Sequence, residues 1–156
     1  MIALKVKCRY KNCKHDNREL DKDDAVLSGK ASYYHKDCYK EMTAIKRVID
    51  VYVKKVDNQP IFTQLRQVVN KLIIEQGVDS EYLIFAINYC ADLGIIKHPP
   101  GLFYIVKNER VKKEWDKRLT AKYMHQERER EAIVNNSTRK FIYNPTKEKT
   151  VADILG

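Results

Sequence analysis

The stretch CRYKNCKHDNRELDKDDAVLSGKASYYHKDC, residues 8–38, decides how the amino-terminal third of this chain folds. It opens with a C-x4-C pair, Cys8 and Cys13, and closes with an H-x2-C pair, His35 and Cys38, after 21 intervening residues. Zn²⁺ binds thiolate and imidazole donors in a tetrahedron, and a closed Cys3His site leaves no coordination position open for chemistry. The spacing therefore predicts a structural metal centre with these four residues as ligands and Zn²⁺ as the cofactor.

A disulfide framework is the alternative use of the four cysteines, and two features of the sequence oppose it. No apolar signal-peptide core opens the chain, because Lys5, Lys7 and Arg9 interrupt it. A histidine also lies at ligand spacing from Cys38, and disulfides need none. We therefore expect a reducing, cytoplasmic compartment. No apolar run approaches the length of a membrane span, so no membrane partner is expected.

The charge of the chain is basic at both ends. The 156 residues include 30 Lys and Arg against 21 Asp and Glu, a net charge of +9. Residues 1–60 hold 14 basic and 9 acidic groups, residues 61–106 hold 3 and 4, and residues 107–156 hold 13 and 8. A basic surface attracts polyanions, so nucleic acid is the predicted partner, with ordinary excess charge as the alternative. The candidate nucleic-acid contacts are Lys11, Lys14, Lys36, Lys40, Lys112, Lys113 and Lys117.

Tyrosines are interleaved with the basic residues of the amino-terminal third. Aromatic rings among cations can stack on unpaired bases while the cations hold phosphates. Packing around the metal is the favoured interpretation, because so small a module needs large side chains for its core. These tyrosines are Tyr10, Tyr33, Tyr34 and Tyr39.

Local patterns predict a knuckle over residues 9–12, between Cys8 and Cys13, and then a β-hairpin and a helix in this third of the chain. Residues 4–6 predict a strand, and the charged residues 14–24 predict a loop. Residues 25–34 predict a hairpin, because Gly29 tolerates the positive φ of a tight turn. Asp37 is the predicted N-cap of a helix that carries Cys38 in its first turn and ends before Asn58-Gln59-Pro60.

This order of elements resembles the treble-clef zinc finger. Residues 29–38, GKASYYHKDC, resemble the aromatic-His-x2-Cys segment of LIM and PARP-type fingers. The resemblance covers residues 4–56 and implies that the four residues of the quartet are zinc ligands. The sequence departs from both families in its C-x4-C knuckle, in the absence of a second LIM quartet after Cys38, and in a shorter loop before His35. The treble-clef class is therefore expected without the specific functions of either family.

Residues 61–107 are similar, in a generic way, to a winged helix-turn-helix. Two apolar helices are predicted on either side of Gly77, and the segment from Ile95 to Val106 then predicts a hairpin with a proline-rich tip. Residues 80–93 contain no Lys or Arg, yet a recognition helix needs donors for phosphates and bases. The second helix is therefore expected to be buried or to face a protein. In the alternative, Pro99-Pro100-Gly101 opens a helix and the region is a small helical bundle.

The rest of the chain predicts a long helix and a short tail. Asn108 is the predicted cap of a helix through about residue 134, which Val111 and Trp115 hold to the core. Residues 139–143 have strand character. The predicted fold class is α+β, mainly α. Its predicted domains are 1–58 as a zinc-finger module with trailing helix, 59–134 as a helical or winged-helix-like domain, and 135–156 as a carboxyl-terminal segment.

The sequence indicates no enzyme. It contains no P-loop, zincin helix, nucleophile elbow or deaminase motif. Cys90 lies in an apolar helix with no base placed to activate it, so it is interpreted as a core residue. His15 is a rival metal ligand, and its simpler interpretation is a solvated loop histidine. The predicted function is nucleic-acid binding by a regulatory or replication and transcription accessory factor, compatible with a phage or mobile-element origin. The alternative is a protein-binding adaptor or inhibitor that uses the apolar helices or the carboxyl-terminal segment.

Overall fold

Four short strands and five α-helices make up residues 2–139, the part of the chain that this computed structural model describes. The chain divides into two units, Met1–Trp115 and Asp116–Gly156. The predicted fold class is confirmed at this level, since the described part is mainly helical with two small antiparallel sheets. The predicted domain boundaries at residues 58 and 134 stay predictions.

The strands form two antiparallel pairs around the predicted knuckle. Strand β1 (Lys5–Lys7) pairs with β2 (Glu19–Asp21), and β3 (Val26–Ser28) pairs with β4 (Ser32–Tyr34). The predicted hairpin is confirmed, and Gly29 occupies its turn with φ +68°. The predicted loop over residues 14–24 is wrong, because β2 lies within it. Leu20 is the single apolar residue of β2, and it packs against the buried Cys8 and Cys38. These two cysteines belong to the first module, residues 4–41, which contains the four strands, the knuckle and the start of the next helix.

Helix α1 (Lys36–Lys55) joins the strands to the helical core. Its first turn carries Cys38, as predicted, and Ile45, Val48 and Tyr52 are buried along its inner face. The predicted cap is wrong, because the N-cap position belongs to His35 and Asp37 lies one residue inside the helix. Both ends of α1 are thus anchored, one at the candidate metal site and the other in the apolar core.

The next two helices follow the predicted break. Helix α2 (Phe62–Asn70) continues into a wider, π-helical turn over Lys71–Glu75, and Gly77 with φ +65° ends it. Helix α3 (Ser80–Asp92) begins where Asp79 accepts a hydrogen bond from the backbone N–H of Glu81 at 3.2 Å. Both helices pack against α1. The shared core contains Leu65, Val68, Val69, Leu72, Leu83, Ala86, Ile87 and Cys90.

The predicted wing is wrong. Residues Gly101–Lys107 form helix α4, and the structure contains no hairpin between residues 95 and 107. The run GLFYIV is continuously apolar, so its period does not distinguish strand from helix. Pro100, whose fixed φ suits a helix start, precedes α4, and Leu102, Ile105 and Val106 bury one helical face. The alternative arrangement, a small helical bundle, is the observed one.

Helix α5 (Glu109–Arg139) begins as predicted and runs past its predicted end. The Asn108 carboxamide oxygen accepts a hydrogen bond from the backbone N–H of Arg110 at 2.9 Å, and Val111 is buried. The helix continues through Asn135-Asn136-Ser137, since the Ser137 hydroxyl donates to the Val134 carbonyl within the helix at 2.8 Å. The predicted strand after Arg139 and the rest of the tail lie outside the described residues.

No helix within residues 2–139 combines the length and apolarity that crossing a bilayer requires.

Candidate metal centre

Four residues predicted as ligands meet at the junction of β1, β4 and α1. Cys8 directly follows β1 and forms a bridge with Tyr33 of β4, while Cys13 closes the knuckle. His35 lies between β4 and α1, and Cys38 lies in the first turn of α1. One donor atom from each of the four residues lies within 4.8 Å of the other three donor atoms. The chain therefore brings together a Cys3His cluster that is geometrically suitable for a metal ion.

The distances inside the cluster fit a tetrahedral ion. His35 Nδ1 lies 3.5 Å from Cys13 Sγ and 3.8 Å from Cys38 Sγ. With Zn–S near 2.3 Å and Zn–N near 2.0 Å, the nitrogen-to-sulfur edge of a zinc tetrahedron is about 3.5 Å. The His35 nitrogen is thus spaced from the Cys13 and Cys38 sulfur atoms about as such a site requires, and the mixture of thiol and imidazole donors suits zinc chemically.

A backbone carbonyl orients the His35 ring. The His35 Nε2 atom lies 3.3 Å from the carbonyl oxygen of Glu19, so the neutral ring donates its Nε2–H there and leaves Nδ1 as the donor for a metal. Outer contacts of this kind fix the tautomer and the orientation of a ligating histidine. Glu19 belongs to β2, the strand that the sequence did not predict, so β2 has a role in the site.

Burial makes full ionisation of the cluster unfavourable without a cation. Cys8 and Cys38 are 3% and 5% exposed. Burial opposes ionisation of the Cys8 thiol, but backbone hydrogen bonds from Tyr10 and His35 hold its pKa below the ordinary value. Burial and the neighbouring Cys13 and Cys8 thiols raise the pKa of Cys38 to about 12. A bound dication would remove this conflict, because it stabilises all the thiolates together.

Tyr10 belongs to the packing of the cluster. Its ring is 8% exposed, and its hydroxyl donates to the Glu41 carboxylate at 2.7 Å. Burial and this hydrogen bond raise the pKa of Tyr10 to about 12. The burial of Tyr10 agrees with the favoured packing role, because a buried ring cannot stack on a base. Tyr33, Tyr34 and Tyr39 are half-buried, and the rings of Tyr34 and Tyr39 lie 6.0 Å apart.

His15 forms an outer contact that the sequence did not predict. Its ring stacks on the His35 ring with centroids 3.9 Å apart, and its Nε2 atom lies 2.8 Å from a carboxylate oxygen of Asp37. This hydrogen bond lowers the pKa of Asp37. His15, Asp37 and Cys38 also lie within 4.8 Å of one another, but His15 and Asp37 are exposed. The signal in the sequence was a histidine two residues after Cys13.

The predicted nucleic-acid contacts stay predictions, and the structure places them on separate elements. Lys11 and Lys14 lie in and beside the knuckle, and Lys36 and Lys40 lie in the first two turns of α1. All four are exposed. The remaining three are exposed on α5, where the Lys112 amino group lies 3.6 Å from the Glu109 carboxylate and Lys117 belongs to the second unit: Lys112, Lys113 and Lys117.

Comparison with known proteins finds no match to this chain, whether with protein-family models, with curated proteins or with solved structures. The geometry of the site itself therefore indicates its chemistry. Four protein donors fill the four positions of a tetrahedral ion, so the cluster leaves none for a substrate or a water molecule. Such an arrangement can hold a fold together, and it offers no Lewis-acid position for catalysis.

Proposed function

We propose that the chain is a zinc-stabilised, non-enzymatic protein that binds nucleic acid through the exposed lysines of its first module. The observation that carries the zinc part is the Cys3His cluster, with all donor atoms within 4.8 Å. The order of knuckle, hairpin and helix, with the last two donors at the start of α1, supports the treble-clef class. Zn²⁺ bound there would cross-link the knuckle to α1 and contribute folding free energy.

The nucleic-acid part rests on the surface around the cluster. Lys14 and Asn12 of the knuckle line one small cleft of about 110 Å³ together with Asp37 and Glu41 of α1. Lys14 therefore lies close to the first turns of α1, which carry Lys36 and Lys40. Several cations on one small module can hold successive phosphates, whose counterions are then released. This favours a polyanion over a neutral partner.

Binding to a protein is the second candidate function, and a different surface favours it. Ile61 and Phe62 at the start of α2 are 69% and 47% exposed, and Ile95 is 48% exposed. An open groove of about 610 Å³ runs between Gln64 of α2 and the segment that includes Ile95. Exposed apolar side chains beside a groove are typical of surfaces that bind proteins.

One titration separates these functions. Fluorescence anisotropy of labelled DNA and RNA oligonucleotides, repeated across salt concentrations, gives the number of phosphates contacted from the slope of log K against log salt. The double variant Lys36→Gln/Lys40→Gln should reduce the magnitude of that slope by about one to two. Lys54→Gln/Lys55→Gln, at the other end of α1, is the matched control and should leave it unchanged. Absence of binding at physiological salt, with a stable complex in pull-downs, would favour the protein-binding function instead.

A further inference from the structure

A polar groove lies between the knuckle and the carboxyl-terminal end of α2. Its volume is about 380 Å³, within the range of about 300–1,000 Å³ for ligand clefts. One wall is Asn12 of the knuckle, and the other comes from α2 and the π-helical turn that follows it. The residues that line this knuckle groove are Asn12, Gln67, Asn70, Lys71, Ile74 and Glu75.

Two amide side chains of α2 line this groove. Gln67 and Asn70 lie three residues apart on α2, so they stand on one face of the helix. Neither side chain forms a hydrogen bond within residues 2–137. Each amide offers two donors and a carbonyl acceptor, the combination that pairs with the edge of a nucleobase. Together with Asn12, the groove therefore presents three amides toward one small volume.

A cation, a carboxylate and an apolar residue complete the groove, namely Lys71, Glu75 and Ile74. Lys71 is exposed, and its amino group lies 6.0 Å from the centre of the Phe103 ring, a distance at which a cation–π contact restrains it. Ile74 is half-buried and supplies an apolar surface against which a flat base can pack. Both residues belong to the π-helical turn, and turns of this kind occur frequently at functional sites. Exposed Lys11 precedes Asn12 in the chain, and exposed Lys14 follows it by two residues.

We infer that the knuckle groove binds an unpaired base of a single-stranded nucleic acid. Asn12, Gln67 and Asn70 hydrogen-bond the edge of the base, and Lys71 contacts the adjacent phosphate. The amides line a cleft rather than a projecting helix face, so a base must leave its stack to reach them, which single strands permit at low cost. This inference rests on the proposed nucleic-acid binding and adds that the ligand is single-stranded.

The test measures anisotropy with the full chain on single-stranded and duplex oligonucleotides of the same sequence, as DNA and as RNA. Gln67→Ala/Asn70→Ala should weaken single-strand binding about tenfold, the effect of losing one good pair of base contacts. Its salt slope should not change, because neutral amides release no counterions. Gln64→Ala, on the same helix but lining another groove, is the matched control and should bind as the wild type does. Thermal melts show that each variant is folded.

The outcomes separate this inference from the proposed function. Tighter binding to single strands than to duplex, lost in the double variant alone, supports the inference. Binding that the double variant retains in full, or a preference for duplex, overturns the groove while nucleic-acid binding stands. An equal loss in Gln64→Ala also overturns it, because the effect would then not belong to the groove. A wild-type chain that binds no oligonucleotide overturns both proposals.

Discussion

Loss of Cys38 should unfold the strands and leave the helical core intact. Within residues 4–41 the buried side chains are Cys8, Tyr10 and Cys38, whereas the helical core buries sixteen of the residues that the structure describes. Burial stabilises by about 1.5–3 kcal/mol for each large apolar side chain, so three residues supply less than about 9 kcal/mol. A structural zinc ion contributes about 10–16 kcal/mol in small fingers. A bound zinc ion would thus be the largest single stabilising contribution to the first module.

The variant Cys38→Ser should therefore lower zinc affinity by more than the about 10–100-fold that loss of an outer contact causes. Mass spectrometry under native conditions should find one zinc ion per wild-type chain and none in the variant. Hydrogen exchange should show that amides of β1 to β4 lose their protection, while those of α2, α3 and α4 keep theirs. Cys90→Ala is the matched control, because Cys90 is buried in the helical core and should not affect the zinc content.

Two results would refute this reasoning. If the wild-type chain, purified under reducing conditions and supplied with zinc, held no metal, the cluster would not be a metal site. If Cys38→Ser lost its zinc but the strands kept their protection, the first module would be stabilised by its own packing. In that second case the metal would bind without supporting the fold.

Three further predictions concern His15, Tyr52 and alkaline pH. His15→Ala should weaken zinc binding about 10–100-fold in a competition titration, less than Cys38→Ser does, because His15 only stacks on a ligand; unchanged affinity would refute an outer role. The Tyr52 hydroxyl is buried with no hydrogen-bond partner in the described part of the chain, so Tyr52→Phe should raise the free energy of unfolding by about 1–3 kcal/mol in urea; a loss of stability would contradict this. Burial raises the pKa of Cys90, and burial together with the Asp57 charge raises the pKa of Tyr52 to about 12, so both groups stay neutral in the fold. The unfolded chain loses these protons first, so the free energy of unfolding should fall above about pH 9. The double variant Cys90→Ala/Tyr52→Phe should flatten that decline in urea unfolding measured across pH.

The parts of the fold that the sequence predicted well depend on local chemistry. The C-x4-C pair, the H-x2-C pair, the glycine in the β3–β4 turn and the Asn108 cap each act within a few residues. Such features need no knowledge of distant contacts, so a single sequence is sufficient to predict them. The assembly of the Cys3His cluster follows from the same spacing together with the hairpin that brings its two halves together.

The parts that the sequence predicted wrongly depend on tertiary contacts. Strand β2 has one apolar residue, Leu20, between charged neighbours, and it exists because its backbone pairs with β1. Helix α4 has an apolar run without a period, and its conformation follows from packing against α2 and α3. The stacking of His15 on His35 joins two residues separated by 19 others, and no local pattern encodes it.

Helix α1 connects the candidate metal site with the proposed binding groove. Its first turn carries Cys38, and its inner face packs against α2 and α3 through Ile45, Val48 and Tyr52. The two walls of the groove come from the two parts that α1 joins, because Asn12 belongs to the knuckle while Gln67 and Asn70 belong to α2. A metal that holds the knuckle to α1 therefore also sets the width of the groove, although no ligand of the metal lines it. A zinc ion bound in this cluster would therefore be structural in its chemistry, and the proposed recognition would depend on it through its position.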